Sequence, residues 1–293
     1  MRISIENVTN ILNANRIGDR NAEIDWILTD SRSLCFAEET LFFALKTKRN
    51  DGHKYIPELY DRGVRNFVVS DFPKELERYS DANFLQLANP LKGVQRLAEK
   101  YRARFDVPVV GITGSNGKTV VKEWLYQLLS PERIITRSPR SYNSQIGVPL
   151  SVWGITPYAE LALFEAGISQ VGEMKSLRNV IQPTIGVFTF LGNAHQEHFR
   201  SLEEKCIEKL HLFKNCTLVI YPADDALLHA EMERQFYGRS LGWSMTDDAA
   251  PLFVSSIEHI AEGTRISYRY QSVQGQYVLP FIDAASISNS ISC

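Results

Sequence analysis

The stretch GITGSNGKT (111–119) carries residues suited to holding phosphate. A phosphate-binding loop needs small residues where its backbone turns toward the phosphate oxygens, a lysine that reaches the β- and γ-phosphates, a hydroxyl for Mg2+ and a helix behind it. Gly114 and Gly117 supply the turns, Ser115 and Asn116 lie between them, Lys118 is the cation and Thr119 the hydroxyl. The common motif, G-x-x-x-x-G-K-[ST], has its first glycine five positions before the second, where this chain has Ile112. The loop predicts nucleotide binding in a form that differs from kinases and GTPases.

Four apolar runs read as buried strands: VPVVGIT (107–113), LALFEAG (161–167), IGVFTFLG (185–192) and CTLVIY (216–221). Amphipathic segments separate them, which predicts βαβ units and a mostly parallel sheet flanked by helices. Such sheets bind ligands at the carboxyl ends of their strands. The loop follows the first run, Glu165 ends the second, Asn193 and His195 follow the third, and Asp224 and Asp225 follow the fourth. A carboxylate that ends an otherwise apolar strand suits a hard cation better than it suits packing. VVKEWLYQLL supplies the helix behind the loop, with Val121, Trp124, Leu125 and Leu128 on one face, and SLEEKCIEKLHLF opens with a capping box, Ser201 and Glu204. In that second helix the pairs Glu204 with Glu208 and Lys205 with Lys209 have the spacing of a solvated face.

A chain of 293 residues suits two domains. Up to residue 82, short runs such as TLFFAL and NFVVS alternate with helical stretches, which predicts a small α/β unit; PLKGVQRLAEKYRARF then reads as an amphipathic helix leading into the second domain. The expected domains are 1–82 and 83–293. A composition with 44% hydrophobic and 23% charged residues and a net charge of -2 is that of an ordinary globular protein without an electrostatic footprint for nucleic acid. The four cysteines are scattered, without metal-binding or disulfide spacing, and there is no signal-peptide pattern and no run long enough to span a bilayer, so a cytoplasmic protein is expected.

The form T-G-[ST]-N-G-K-T resembles the ATP loop of the Mur ligases and of their folylpolyglutamate synthetase relatives, in which the early glycine is displaced. Other marks of that family follow in order. TDSR (29–32), LFFAL and DGH (51–53) look like its UDP-sugar-binding domain, which implies that Ser31, Arg32, Asp51 and His53 contact a UDP-precursor. SYNSQIGVPLSV (141–152) is similar to the stretch that follows the first helix of the central domain, implying substrate contacts from Asn143, Ser144 or Gln145. The resemblance makes Glu165, Thr119 and His195 ligands of Mg2+, with His198 a competitor for His195. It also makes Lys209 the lysine that reacts with CO2 to become an anionic carbamate. ADD (223–225) resembles the family's N-A-D-D turn, with Pro222 in place of the asparagine.

The combination of this loop, IGVPL and AHQEHFRSLE, with Ala194 where other members have aspartate, implies the branch that joins D-alanyl-D-alanine to UDP-N-acetylmuramoyl-tripeptide. In that reaction the γ-phosphoryl group of ATP passes to a carboxylate and an amine attacks the acyl phosphate; Lys118, Lys209 and His195 would be the catalytic residues. The tail LPFIDAASISNSISC is similar to enzymes that fuse such a ligase to an alanine racemase, which would put Asn289 near the adenine. The family has a third, C-terminal ligase domain, and this chain ends inside a helical pattern, Ile287 and Ile291, without a C-cap. The expectation is a piece of a longer protein that binds ATP and UDP-precursor but ligates slowly or not at all. Competing readings are another Mur ligase or a folylpolyglutamate synthetase-like enzyme, a P-loop nucleoside triphosphatase and a nucleotide-binding module without chemistry.

Overall fold

The computed structural model describes residues 2–48, 50–192 and 198–293. The chain forms two compact units, Met1–Phe105 and Asp106–Cys293.

In the first unit β1 (Ile3–Ser4) leads into α1 (Ile5–Leu12), which Ser4 caps by accepting a hydrogen bond from Asn7 N. β2 (Asn15–Ile17), β3 (Glu23–Ile24), β4 (Trp26–Leu28) and β5 (Thr40–Phe43) follow, then α2 (Ile56–Asp61), β6 (Asn66–Val69), β7 (Asn83–Gln86) and α3 (Pro90–Arg102). β1 pairs with β3, and the other strands form a sheet in the order β2-β7-β6-β5-β4, parallel from β4 to β7 with β2 antiparallel at its edge. Every residue of β5 and β6 is buried, as strands covered on both faces require. Phe42, Phe67 and Phe84, from three neighbouring strands, meet in this core, Phe67 stacked on Phe84 and edge to face with Phe42.

The division between the units falls between Phe105 and Asp106, later than the expected boundary after residue 82. The cause is α3, whose buried Val94, Leu97, Ala98 and Tyr101 belong with α1 and β5. An amphipathic periodicity shows that a helix has a face to bury, without naming the core that receives it.

In the second unit β8 (Val109–Thr113) is followed by α4 (Lys118–Leu129), β9 (Ile135–Arg137), α5 (Gly147–Trp153), β10 (Leu161–Glu165), α6 (Glu173–Ile181), β11 (Ile185–Phe188), α7 (Leu202–Leu210), β12 (Leu218–Pro222) and α8 (Ala226–Phe236). β13 (Ser240–Ser244), β14 (Leu252–Ile260), β15 (Gly263–Tyr270), β16 (Val273–Leu279) and α9 (Ala284–Ile291) complete it. One sheet runs in the order β16-β15-β14-β13-β12-β11-β8-β10-β9. It is parallel from β9 to β14 and antiparallel through β15 and β16. The mostly parallel α/β class follows the expectation, and the four expected strands are β8, β10, β11 and β12. β10 and β11 flank β8 on opposite sides, so the crevice beyond its carboxyl end is a topological switch point.

Ile112, fully buried in β8, packs with Val121 and Leu125 of α4, Leu163 of β10 and Val187 of β11. Shortening it to alanine would cost about 2–5 kcal/mol. The residue that departs from the common motif is therefore part of the core supporting the loop. Farther along the sheet, Trp243, Val254, Ile266 and Leu279 pack with Ile287 and Ile291 of α9.

Candidate active site

At the carboxyl end of β8 the chain turns at Gly114 (φ +147°) and Gly117 (φ +84°), the second of which starts α4. A β-carbon on Gly114 would lie 2.1 Å from Thr189 Oγ1, and one on Gly117 2.2 Å from Asn289 Oδ1. Only glycine fits such approaches at positive φ. The loop is tied to the segment after β11: Ser115 N donates to Phe190 O (2.7 Å), Ser115 Oγ donates to Gly192 O and accepts from Gly192 N (both 2.9 Å), and Thr189 Oγ1 donates to Asn116 O. Asn289 of α9 is buried against Gly117.

Thr119 Oγ1 donates to Glu165 Oε2 at 2.9 Å, and Asn143 Nδ2 donates to the same oxygen at 3.4 Å. The glutamate is completely buried. Its Oε1 accepts no hydrogen bond but lies 2.9 Å from Lys122 Nζ, an ion-pair contact without hydrogen-bond alignment. The Thr119 hydroxyl beside the carboxylate oxygen Oε2 is a donor set suited to a hard cation such as Mg2+. Among the described residues no group of three or more His, Cys, Asp and Glu side chains gathers to hold a metal, so Thr119 and Glu165 are the oxygen donors found together here.

On the other side of the loop Lys118 Nζ donates to Gly114 O (2.8 Å) and Ser115 O (3.3 Å), Lys209 Nζ donates to Gly114 O (3.1 Å), and Lys205 Nζ donates to Gly192 O. Burial lowers the pKa of Lys118, against the attraction of Glu165, and burial also lowers that of Lys205. Lys209 is brought down to about 7, first by burial and then by repulsion from Lys118 and Lys205.

The solvated face expected for α7 is therefore corrected: Lys205, Glu208 and Lys209 are all buried. Glu208 accepts from Gly172 N (2.9 Å) and Met174 N (3.0 Å) at the start of α6, while Lys209 turns to Gly114 of the loop after β8 and Lys205 to Gly192 of the segment after β11. Helical spacing gives charged residues a common face, and the packing of α7 takes that face inward. Half of the expected capping box forms, with Ser201 Oγ accepting from Glu204 N at 3.0 Å, while the Glu204 carboxylate accepts from Arg200 N at 2.7 Å.

Of the segment 141–145, Asn143 reaches Glu165, Ser144 Oγ accepts from Gly147 N (3.1 Å) and Gln145 Nε2 donates to Glu173 O (3.2 Å). Asp224 accepts from Met245 N (2.8 Å) and Thr246 Oγ1 (2.7 Å), and Asp225 caps α8. Asn193, His195 and Glu197 lie outside the described residues, while His198 is exposed.

In the first unit the candidates lie beyond β4 and β5. Asp30 accepts from Arg32 N and pairs with the Arg32 guanidinium at 2.6 Å, which holds its carboxyl below the usual range. Ser31 is buried and its carbonyl accepts from Arg62 Nη1 (3.0 Å). Asp51 accepts from His53 N (3.0 Å) and contacts His53 Nδ1 (2.6 Å), which lowers its pKa, and His53 Nε2 accepts from Ser70 N (3.0 Å) beyond β6.

Sequence reasoning missed Lys122 and Lys205. A lysine four positions after Lys118, between the core residues Val121 and Leu125, was the available signal for the first.

Residues 112–293 match the family description "Mur ligase middle domain". A UDP-N-acetylmuramoyl-tripeptide--D-alanyl-D-alanine ligase of Synechocystis is 32% identical over 76% of the chain and 49% of its own length; one of Bacillus subtilis is 27% identical over 92% and 57%. The chain thus spans about half the length of these curated relatives. Solved structures share the fold: MurF from Acinetobacter baumannii has a TM-score of 0.89 at 21% identity, covering 100% of this chain and 64% of that one. MurF ligase from Thermotoga maritima in complex with ADP has a TM-score of 0.79 at 24% identity, covering 91% and 60%. With the family match extending over more than half of the residues, and a loop, carboxylate and lysine gathered at one strand end, the chain belongs to the Mur ligase family.

Proposed function

We propose that the chain is part of an ATP-dependent amide ligase that joins D-alanyl-D-alanine to UDP-N-acetylmuramoyl-tripeptide. The second unit holds ATP and the first the UDP-precursor, through Ser31, Arg32, Asp51 and His53. The observation that carries this reading is the convergence of Lys118, Thr119, Glu165, Asn143 and Lys209 on one strand-end loop. The relatives' names support the same substrates.

In this reading the γ-phosphoryl group moves from ATP to the tripeptide carboxylate, ADP leaves, and the amine of D-alanyl-D-alanine displaces phosphate from the acyl phosphate. Such transfer is governed by positioning and charge stabilisation. Lys118 moves from the loop carbonyls to the phosphates, and the loop amides cradle them. Thr119 and Glu165, with His195 and carbamoylated Lys209, would hold Mg2+, which when bound neutralises phosphate charge. Lys209 can serve because its lowered pKa makes the neutral amine available near pH 7; its nitrogen bonds to CO2 and releases a proton. Asn143, bonded to Glu165, orients the segment that meets the peptide. No described helix is long and apolar enough to cross a membrane.

The test is calorimetric titration of the 293-residue chain with ATP and with UDP-N-acetylmuramoyl-tripeptide, followed by ADP release with each substrate omitted in turn. Binding of both ligands is expected, with any ADP release dependent on the tripeptide. Release indifferent to both substrates would identify a nucleoside triphosphatase instead.

A further inference from the structure

Lys122 lies one turn beyond Lys118 on α4, and neither it nor Glu165 has any side-chain exposure. Its ammonium is 2.9 Å from Glu165 Oε1 and 3.1 Å from Glu123 Oε1; it also donates to Ser138 O at 2.8 Å and to Arg140 O. One cation therefore joins the helix behind the nucleotide loop, the carboxylate ending β10 and the backbone that leads from β9 toward residues 141–145.

A buried ion pair is weak evidence for stability, since an apolar pair of similar volume packs as well without desolvating two charges. What the pair supplies here is orientation. Glu165 has two oxygens with different surroundings: Oε2 meets the Thr119 hydroxyl and Asn143, whereas Oε1 faces the lysine. Because Lys122 is itself held by two carbonyls, it cannot follow the carboxylate if that rotates. We propose that Lys122 is a positioning residue that anchors Glu165 by Oε1, so that Oε2 stays beside Thr119 and faces a nucleotide-bound divalent cation. This rests on the nucleotide site proposed above and adds to it a residue that touches neither substrate nor phosphate.

The test measures binding of a non-hydrolysable ATP analogue to the whole chain by calorimetry, in EDTA and across a Mg2+ titration. Lys122→Met is expected to leave metal-free analogue binding within about twofold while raising the Mg2+ midpoint about tenfold or more, the loss of one charge-assisted contact. Lys122→Arg, which keeps the charge, is expected to stay within about threefold of the parent chain. Should Lys122→Met not fold, Lys122→Gln is read in its place, with the same expected rise. An unchanged Mg2+ midpoint in whichever variant folds overturns the proposal, and so does failure of both to fold, which would make the lysine a structural brace. If the parent chain itself does not bind the analogue, the nucleotide site is what fails.

Discussion

The strand ends of the two units carry similar residue types in opposite settings. In the second unit Glu165, Lys122, Lys205 and Lys209 are buried and linked across distant parts of the chain, from Gly114 to Lys209 and from Thr119 to Glu165. In the first, Asp30 pairs with Arg32 and Asp51 with His53, each two residues away, and the Arg32 side chain is 87% exposed. Charges removed from water interact strongly and are costly to leave unpaired, whereas exposed pairs are screened and contribute little. The first arrangement suits charge movement on a phosphoryl group. The second suits recognition of a ligand that brings its own shape and charge.

This contrast is open to direct attack. Its largest consequence is that Glu165→Leu should destabilise the second unit by about 3 kcal/mol, because it leaves the Lys122 ammonium buried. The lower end of the usual range is expected since Glu123 Oε1, 3.1 Å away, still offers partial compensation. Chemical denaturation followed by circular dichroism measures it, and a loss below about 1 kcal/mol, the scale of an exposed pair, would erase the distinction.

Next in size, Lys118→Ala should weaken ATP binding by about 10- to 100-fold, the loss of a charged hydrogen-bond donor, without lowering the melting temperature. Calorimetry and a melt on the same sample test both halves. An equal loss of stability would show that the lysine's bonds to Gly114 and Ser115 matter more to the fold than to phosphate.

A smaller effect concerns pH. Lys209 has a folded pKa of about 7 against 10.5 when exposed, so above pH 7 the unfolded chain holds the proton that the folded chain releases. Stability from this group therefore rises with pH between about 7 and 10.5, and Lys118 and Lys205, shifted the same way, add to it. The buried thiols Cys206 and Cys216, raised to about 12, oppose it above pH 9. Comparing pH 7 with pH 8.5 in metal-free buffer isolates the lysines; a gain on the order of 1 kcal/mol is expected, much of it lost in Lys209→Met. A flat profile would place the ammonium in contact with water.

Smallest of all, Arg32→Ala in the first unit should shift the melting temperature by less than about 2 °C. A larger drop would mean that the exposed cluster is structural after all.

The loop, the parallel strands and the order of the candidate residues were legible in the sequence because each depends on local chemistry. Glycines mark turns, continuous apolar runs mark covered strands, and a carboxylate ending such a run stands out. The burial of α7 was not legible, since Lys205 and Lys209 have the spacing of a wetted face. β9, β13 and β14 were also missed, as were the antiparallel β15 and β16, where polar and apolar residues alternate, as in GTRISYRY, instead of forming the continuous runs by which β8, β10, β11 and β12 were found.

By itself, the sequence determined the family, the class of fold and the glycine turns of residues 111–119, since these rest on residue types at fixed spacing. Only the tertiary structure decided that α3 belongs to the first unit, that the lysines of α7 turn inward and that Lys122 grips Glu165. The reason is physical: the environment of a side chain, and with it the strength of its charge, is set by what other segments bring against it.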